Sequence, residues 1–334
     1  MGKNFLRRFL FVLMMATWSL IITQSIGFAQ VTFPTRPVTI WVAFPPGGGT
    51  DTIIRTIAEE TGKSLGQKIV VVNKPGGGGT VCTSLIAKEK PDGYTLAGIT
   101  NAAVTVGPHL TDLDYDPFRD LSFIIQVAAW KSVFVVRPDS PFKKWEDVVD
   151  WAKKNPGQLI FGNPGIGTNS HISMAKIAIK ERFTYRNVPF AGDAPSVAAL
   201  LGGHVMVAGG GVTVWQSQIE AKNARAILAV EKELSFAPDI PTFQKVHYDF
   251  GIMPTTVLIC GPAGIPDPVR QILEKAFSDG MKTEAFNKLA KTLELFALDP
   301  LTGTALLDSV KKSYVLYEGF IKEVGAYKSE KKGK

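Results

Sequence analysis

Cysteine is nearly absent. The 334-residue chain has two, Cys82 and Cys260, which excludes a dense disulfide framework and any four-cysteine zinc module. Spacing does not say whether the two pair. Histidine is scarce as well: His109, His171, His204 and His247 are widely separated, with no H-E-x-x-H and no His/Cys cluster, so no metal site is expected. No cofactor is expected either, because there is no G-x-x-x-x-G-K-[ST] loop and Gly47-Gly48-Gly49 lacks the spacing of a dinucleotide fingerprint. Charged residues make up only 20% of the chain against 45% in the apolar set, which excludes a disordered tail or coiled coil and permits a sizeable core. The length suggests two domains.

Part of the net charge of +7 sits at the start. Lys3, Arg7 and Arg8 precede an uncharged, mostly apolar run from Phe9 to Thr23, followed by Gly27-Phe28-Ala29. This is the pattern of a secretory signal peptide over residues 1–29, cleaved after Ala29. The run is short of the ~20 residues a membrane-spanning helix needs. No cysteine lies near the cleavage site, so no lipid anchor is expected. Cleavage removes three of the seven surplus positive charges. With no basic stripe interleaved with aromatics elsewhere, nucleic-acid binding is not expected. The mature protein is read as exported and soluble, with Lys328 to Lys334 a solvated basic tail.

Apolar strand-like runs alternate with helical patterns along the rest of the chain. Val38–Ala43 reads as a strand, Ile53, Ile54, Ile57, Ala58 and Leu65 recur at helical spacing, and Lys68–Val72 reads as the next strand. Val81–Lys88 (helix) and Tyr94–Thr100 (strand) follow, separated by the turn Pro91-Asp92-Gly93. A second series runs through two strands broken at Trp130-Lys131, a helix over 145–154, a strand over 159–161, and helices opened by Thr168 and Asp193. Helical segments from 267 to 327 close the chain. This predicts an α/β fold of parallel βαβ units. The order of the segments implies one domain (30–125 plus 250–334) interrupted by a second (126–249), with a cleft crossed by two links.

Glycine-rich loops stand before three of these helices. In Phe44-Pro45-Pro46-Gly47-Gly48-Gly49-Thr50-Asp51 the glycines allow close backbone approach, and the helix start offers unpaired N–H groups and partial positive charge suited to an anion. Thr50 or Asp51 as a plain N-cap is the competing reading. The same pattern recurs at Gly162–Thr168, ahead of Asn169, Ser170 and His171, and at Phe190-Ala191-Gly192-Asp193. His171 serves either the cleft or helix packing. Pro75 to Thr80 reads at least as well as a tight turn. Gly62-Lys63-Ser64-Leu65-Gly66 matches G-x-S-x-G, but a helix precedes it and a strand follows, the reverse of a nucleophile elbow. No nucleophile with a placed base emerges, so no enzyme is expected.

The ordered set Pro37-Val38-Thr39-Ile40, Phe44 to Asp51, Leu65-Gly66-Gln67, Asn73 to Gly79, Lys90 to Leu96, Tyr115-Asp116-Pro117, Gly165-Ile166-Gly167-Thr168 with His171, and Pro238 to Thr242 resembles the Bug-type periplasmic solute-binding proteins of tripartite tricarboxylate transporters. The resemblance runs from about Phe33 to the C-terminus. It implies a two-domain α/β periplasmic binding protein (Venus flytrap, type II-like) with a small organic carboxylate in the interdomain cleft. It also implies delivery to integral membrane transporter subunits by a monomer; reporting the same ligand to a membrane sensor kinase is the alternative. By position it assigns ligand binding to Phe44, Gly48, Gly49, Thr50 and Asp51 of domain one. In domain two it assigns Gly167, Thr168, Ser170, His171, Ala191, Gly192 and Asp193. The chain departs from the family where Tyr-Lys-Gly becomes Phe190-Ala191-Gly192 and Gly-Gly-Gln-Val-Asp becomes Gly202 to Met206, and Asn163-Pro164 replaces a small serine-containing pair. Loss of Lys and Asp there favours a less polar ligand.

Overall fold

The computed structural model describes residues 32–251, 254–296 and 300–323. The expected export signal at 1–29 lies outside the described residues.

The first lobe starts as expected. Strand β1 (Val38–Val42) runs through a glycine loop into helix α1 (Gly49–Leu65), which returns the chain to β2 (Ile69–Asn73), parallel to β1. Helix α1 buries Ile53, Ile54, Ile57 and Ala58 on one face and ends at Gly66, whose φ of 67° is the left-handed cap glycine tolerates. Ser64 of the G-x-S-x-G match is exposed on this last turn, with no strand before it. A single turn at 77–79 leads to α2 (Thr80–Ile86), then β3 (Thr95–Thr100), two short helices α3 (Ala102–Thr105) and α4 (Gly107–Leu110), and the long, almost wholly buried β4 (Leu121–Trp130).

At Lys131 the chain changes sheet. Strand β5 (Ser132–Val136) opens the second lobe, followed by α5 (Trp145–Lys154), β6 (Leu159–Asn163), α6 (Asn169–Glu181) and β7 (Tyr185–Pro189). Then come α7 (Asp193–Leu201), β8 (Val207–Gly211), α8 (Val212–Glu220) and β9 (Arg225–Ala229). Helix α5 shows why the local pattern was readable. Asp147 accepts from the Lys143 and Lys144 amides at 2.7 and 3.1 Å, capping the start, and Trp145, Val148, Val149 and Ala152 form one buried stripe. The chain then returns as β10 (Thr255–Pro262), α9 (Asp267–Met281), α10 (Glu284–Thr292), β11 (Leu301–Thr302) and α11 (Gly303–Glu323).

The two sheets have strand orders β11-β4-β10-β3-β1-β2 and β7-β6-β8-β5-β9. Both are mixed, joining the expected parallel βαβ units to antiparallel pairs. β1, β2 and β3 are parallel, but β10 pairs antiparallel with β3 and β4; β6 is parallel to β7 and β8, but β5 is antiparallel to β8 and β9. The strands that cross between lobes, β4–β5 and β10, supply the antiparallel pairs because they re-enter each sheet from the opposite end. β4 stays paired with β10 through Trp130, past the expected boundary at 125. Each lobe has its own core: Phe134, Trp145, Phe161, Phe243 and Tyr248 pack edge-on or tilted in the second, while Cys82, Ile99, Leu258 and Cys260 share one cluster in the first.

Both cysteines are buried and free. That settles the question left open by spacing. Cys82 Sγ donates weakly to the Trp41 carbonyl, and burial pushes its thiol up to about 12.

Candidate functional site

Two helix starts, one from each lobe, meet at one small cavity. In the first lobe, Asp51 organises the loop. Its carboxylate accepts from the Gly47 amide (2.9 Å), Asn73 Nδ2 (2.7 Å) and Arg55 Nε (3.0 Å), and Asn73 also donates to the Phe44 carbonyl. Burial acts to raise the Asp51 pKa, but these bonds outweigh it and hold the group below its usual value. No side chain caps α1 at Gly48, so the first-turn amides at Thr50, which lines the cavity, are left to whatever enters.

The second lobe repeats the design with other residues. Asn163 Oδ1 accepts from the Gly165 amide, Thr168 Oγ1 donates to the Gly165 carbonyl at 2.7 Å, and the Gly167 amide donates to His171 Nδ1 at 3.0 Å. Gly167 has φ of 80°, and a Cβ there would lie 2.4 Å from Val106 of the opposite lobe, so both backbone and space demand glycine. The bond to Nδ1 requires a neutral His171 with its proton on Nε2. Burial lowers its pKa to about 4. Thr168 stands at the N-cap of α6 but makes no capping bond, so this helix start too is open to the cavity.

The cavity is lined by Phe44, Thr50, Thr100 and Asn101 of the first lobe and by Gly167, Thr168, Ser170 and Asp193 of the second. Trp130, Ser132, Thr255 and Tyr317 close it at the crossings, with Gly210 and Gly211 of β8 behind. About 40 Å³ of water-accessible space remains, room for about three water molecules. The lobes are shut. A Cβ on Gly49 would lie 2.3 Å from Thr213 Oγ1 of α8, and one on Gly192 would lie 3.3 Å from Pro45.

Of the residues singled out from sequence, Phe44, Thr50, Gly167, Thr168, Ser170 and Asp193 line the cavity. Gly48, Gly49, Asp51, His171, Ala191 and Gly192 do not. Asp51 and His171 hold loops, Gly49 and Gly192 admit the opposite lobe, Ala191 is exposed, and Gly48 donates to the Pro45 carbonyl at 3.5 Å and accepts from the Thr52 amide at 3.0 Å. The sequence reading did not find Thr100 or Asn101, although the carboxyl end of a strand beside the crossover is where open α/β sheets bind ligands. It also passed over Ser132, Gly210, Gly211 and Thr255. Tyr317 carries no local signal; the packing of α11 against α6 brings it in, where its hydroxyl donates to Asn169 Oδ1 at 2.7 Å.

The crossings are tied by two carboxylates, the half-buried Glu231 and the buried Glu294. Glu231 accepts from the Ser132 amide (2.6 Å), Ser132 Oγ and Asn169 Nδ2, and burial raises its pKa to about 7 despite these bonds. Lys131 pairs with Glu294 at 2.7 Å, and Glu294 also accepts from Ser235. Asp193 is different. Burial raises its pKa to about 6 while the Gly211 amide, at 3.2 Å, pulls it down. No Lys, Arg or His is among the lining residues. Among the described residues no cluster of His, Cys, Asp and Glu is arranged to hold a metal, and no helix is long and apolar enough to cross a membrane.

Residues 53–307 match the family described as Tripartite tricarboxylate transporter family receptor. The chain belongs to this family. The receptor is 33% identical over 270 residues to the UPF0065 protein in the gbd 5' region of Cupriavidus necator, covering 80% of each chain. Its structure is similar to that of the periplasmic binding protein BugD, with a TM-score of 0.83, 27% identity, and 89% of this chain and all of that one covered. The fold is shared with an adipate-bound protein of R. palustris, at a TM-score of 0.80 and 23% identity over 88% of this chain and 98% of that one. A bilobed α/β solute-binding receptor of the Bug type is therefore the architecture and coarse role of this chain.

Proposed function

We propose that the receptor works in the periplasm as a monomer, closing two lobes, divided near Lys131 and after Val230, over a small organic carboxylate that it delivers to integral membrane subunits of a tripartite tricarboxylate-type transporter. It binds and releases; it does not catalyse. The observation that carries this reading is the pair of uncapped helix starts, α1 and α6, facing one cavity from opposite lobes. Helix N-termini stabilise an anion without a basic side chain. An anion held by both would favour the shut state, which is hinge closure driven by differential contact.

The lobes turn about Lys131 and the return segment after Val230. The Glu231 link between Ser132 and Asn169 fastens these to α6, so hinge and binding loop move together. The space left by closure suits a ligand of few heavy atoms. Calorimetric titration of the protein lacking residues 1–29 against malate, adipate, glutamate, nicotinate and leucine tests the ligand class. Binding of at least one is expected; no heat from any of them would refute the carboxylate assignment.

A further inference from the structure

We infer that the ligand is a zwitterion, a carboxylate bearing a cationic nitrogen, and that Asp193 receives the cation. The inference rests on the carboxylate reading above and adds the chemistry of the other end. Asp193 is the one carboxylate in the cavity wall, and no basic side chain lines the cavity to neutralise it. Two ionised oxygens offer about four acceptor positions. Among the described residues one is used, by the Gly211 amide at 3.2 Å. The carboxylate is thus half-buried, faces the cavity and accepts a single hydrogen bond among the described residues.

The local backbone keeps it there. A Cβ on Gly210 would lie 2.5 Å from Asp193 Oδ1 and 2.8 Å from Trp215 Nε1, so only glycine leaves the acid its place. Phe44, Trp130 and Tyr317 line the same small space, and aromatic faces attract a cation that a carboxylate neutralises. A ligand with two carboxylates would fare worse: one would meet the helix starts and the other would approach Asp193 in a medium of low dielectric, where like charges repel strongly. A zwitterion satisfies the helix starts and Asp193 together.

The test uses matched pairs that differ only in the positive charge. Leucine is set against 2,4-dimethylpentanoate, proline against cyclopentanecarboxylate, and glycine betaine against 3,3-dimethylbutanoate. Adipate represents two carboxylates and leucinamide a cation without one. Titrations follow heat and tryptophan fluorescence from pH 5 to 8 in wild type and Asp193→Asn. At least one zwitterion is expected to bind tenfold or more tightly than its isostere lacking the positive charge. Asp193→Asn should bring the pair within about threefold. In wild type, zwitterion affinity should fall toward tenfold per pH unit below about 6, as Asp193 takes up a proton.

Isosteres or adipate binding as tightly as the zwitterions would overturn the inference and leave the carboxylate reading intact. So would adipate affinity that rises as the pH falls, which would mean that Asp193 is protonated beside an anion. A preference that survives in Asp193→Asn, or zwitterion affinity flat across pH, would also overturn it. Leucinamide binding as well as leucine would refute the carboxylate reading and the zwitterion with it, leaving only a cation subsite at Asp193. Silence from every compound would refute both.

Discussion

Replacing Gly49 with alanine should separate ligand affinity from fold stability. Gly49 is the first residue of α1, in ordinary helical backbone. Alanine there is favoured over glycine by up to about 1 kcal/mol, so the first lobe should be at least as stable. The shut receptor has no room for the methyl group. It would sit 2.3 Å from Thr213 Oγ1 and 3.1 Å from Thr213 Cβ, against about 3.5 Å for an ordinary contact. Thr213 is β-branched and sits in the first turn of a helix, which restricts its χ1. Overpacking of this degree costs about 1–3 kcal/mol, and the cost falls only on the closed, ligand-bound form. Affinity should drop by about 5- to 150-fold while the melting temperature of the free protein holds or rises. Adding Thr213→Ala removes the 2.3 Å clash and should restore most of the affinity. Titration and thermal melts of the two single variants and the double variant measure all of this. Gly49→Ala with undiminished affinity, or with affinity and melting temperature falling together, would refute the closure argument.

Other expectations concern protons, the hinge and the thiols. Native His171 has its pKa lowered to about 4 from about 6.5 unfolded. Its stabilising contribution is therefore complete above pH 6.5 and lost as the pH falls toward 4, by about 3 kcal/mol in total. Asp193 and Glu231, raised in the fold, oppose this because their penalty eases as the pH falls. The quantity to measure is thus the difference between wild type and His171→Asn in urea melts at pH 7 and 4; equal losses in the two proteins would contradict the assignment. Glu231→Ala leaves the Ser132 amide and Asn169 Nδ2 without their acceptor and should cost about 3 kcal/mol in denaturation; a loss below 0.5 would argue against the tie. Neither Cys82 nor Cys260 should react with a thiol reagent until the chain unfolds, when two thiols per chain should appear. Zero thiols after unfolding would mean that they are bridged.

Much of the fold was readable because the local patterns are strong. The stripe Trp145, Val148, Val149, Ala152 predicts α5 residue for residue, and the break at Trp130-Lys131 marks where the chain changes sheet. What was missed depends on contacts distant in sequence. Helix α8 opens Val212-Thr213-Val214, a β-branched run that reads as strand, yet burial of Val212 and Trp215 one turn apart makes it helical. The three glycine loops were visible, but the division of labour within them was not. Asp51 and His171 look like ligand-facing residues until Gly47, Asn73, Arg55 and Gly167 are seen to occupy them. Thr168 stands at the start of α6 without capping it and braces the Gly165 loop. Tyr317 lies 148 residues from the Asn169 it contacts, a separation no local pattern bridges.

The most direct measurement is a crystal structure of the receptor with the tightest-binding carboxylate from the titrations. The account predicts the ligand's carboxylate between the first turns of α1 and α6, within hydrogen-bonding distance of amides at Thr50 and at Asn169 or Ser170, with Gly49 against Thr213 as here. A carboxylate bound outside this cavity, or held within it by one lobe alone with the lobes apart, would contradict it.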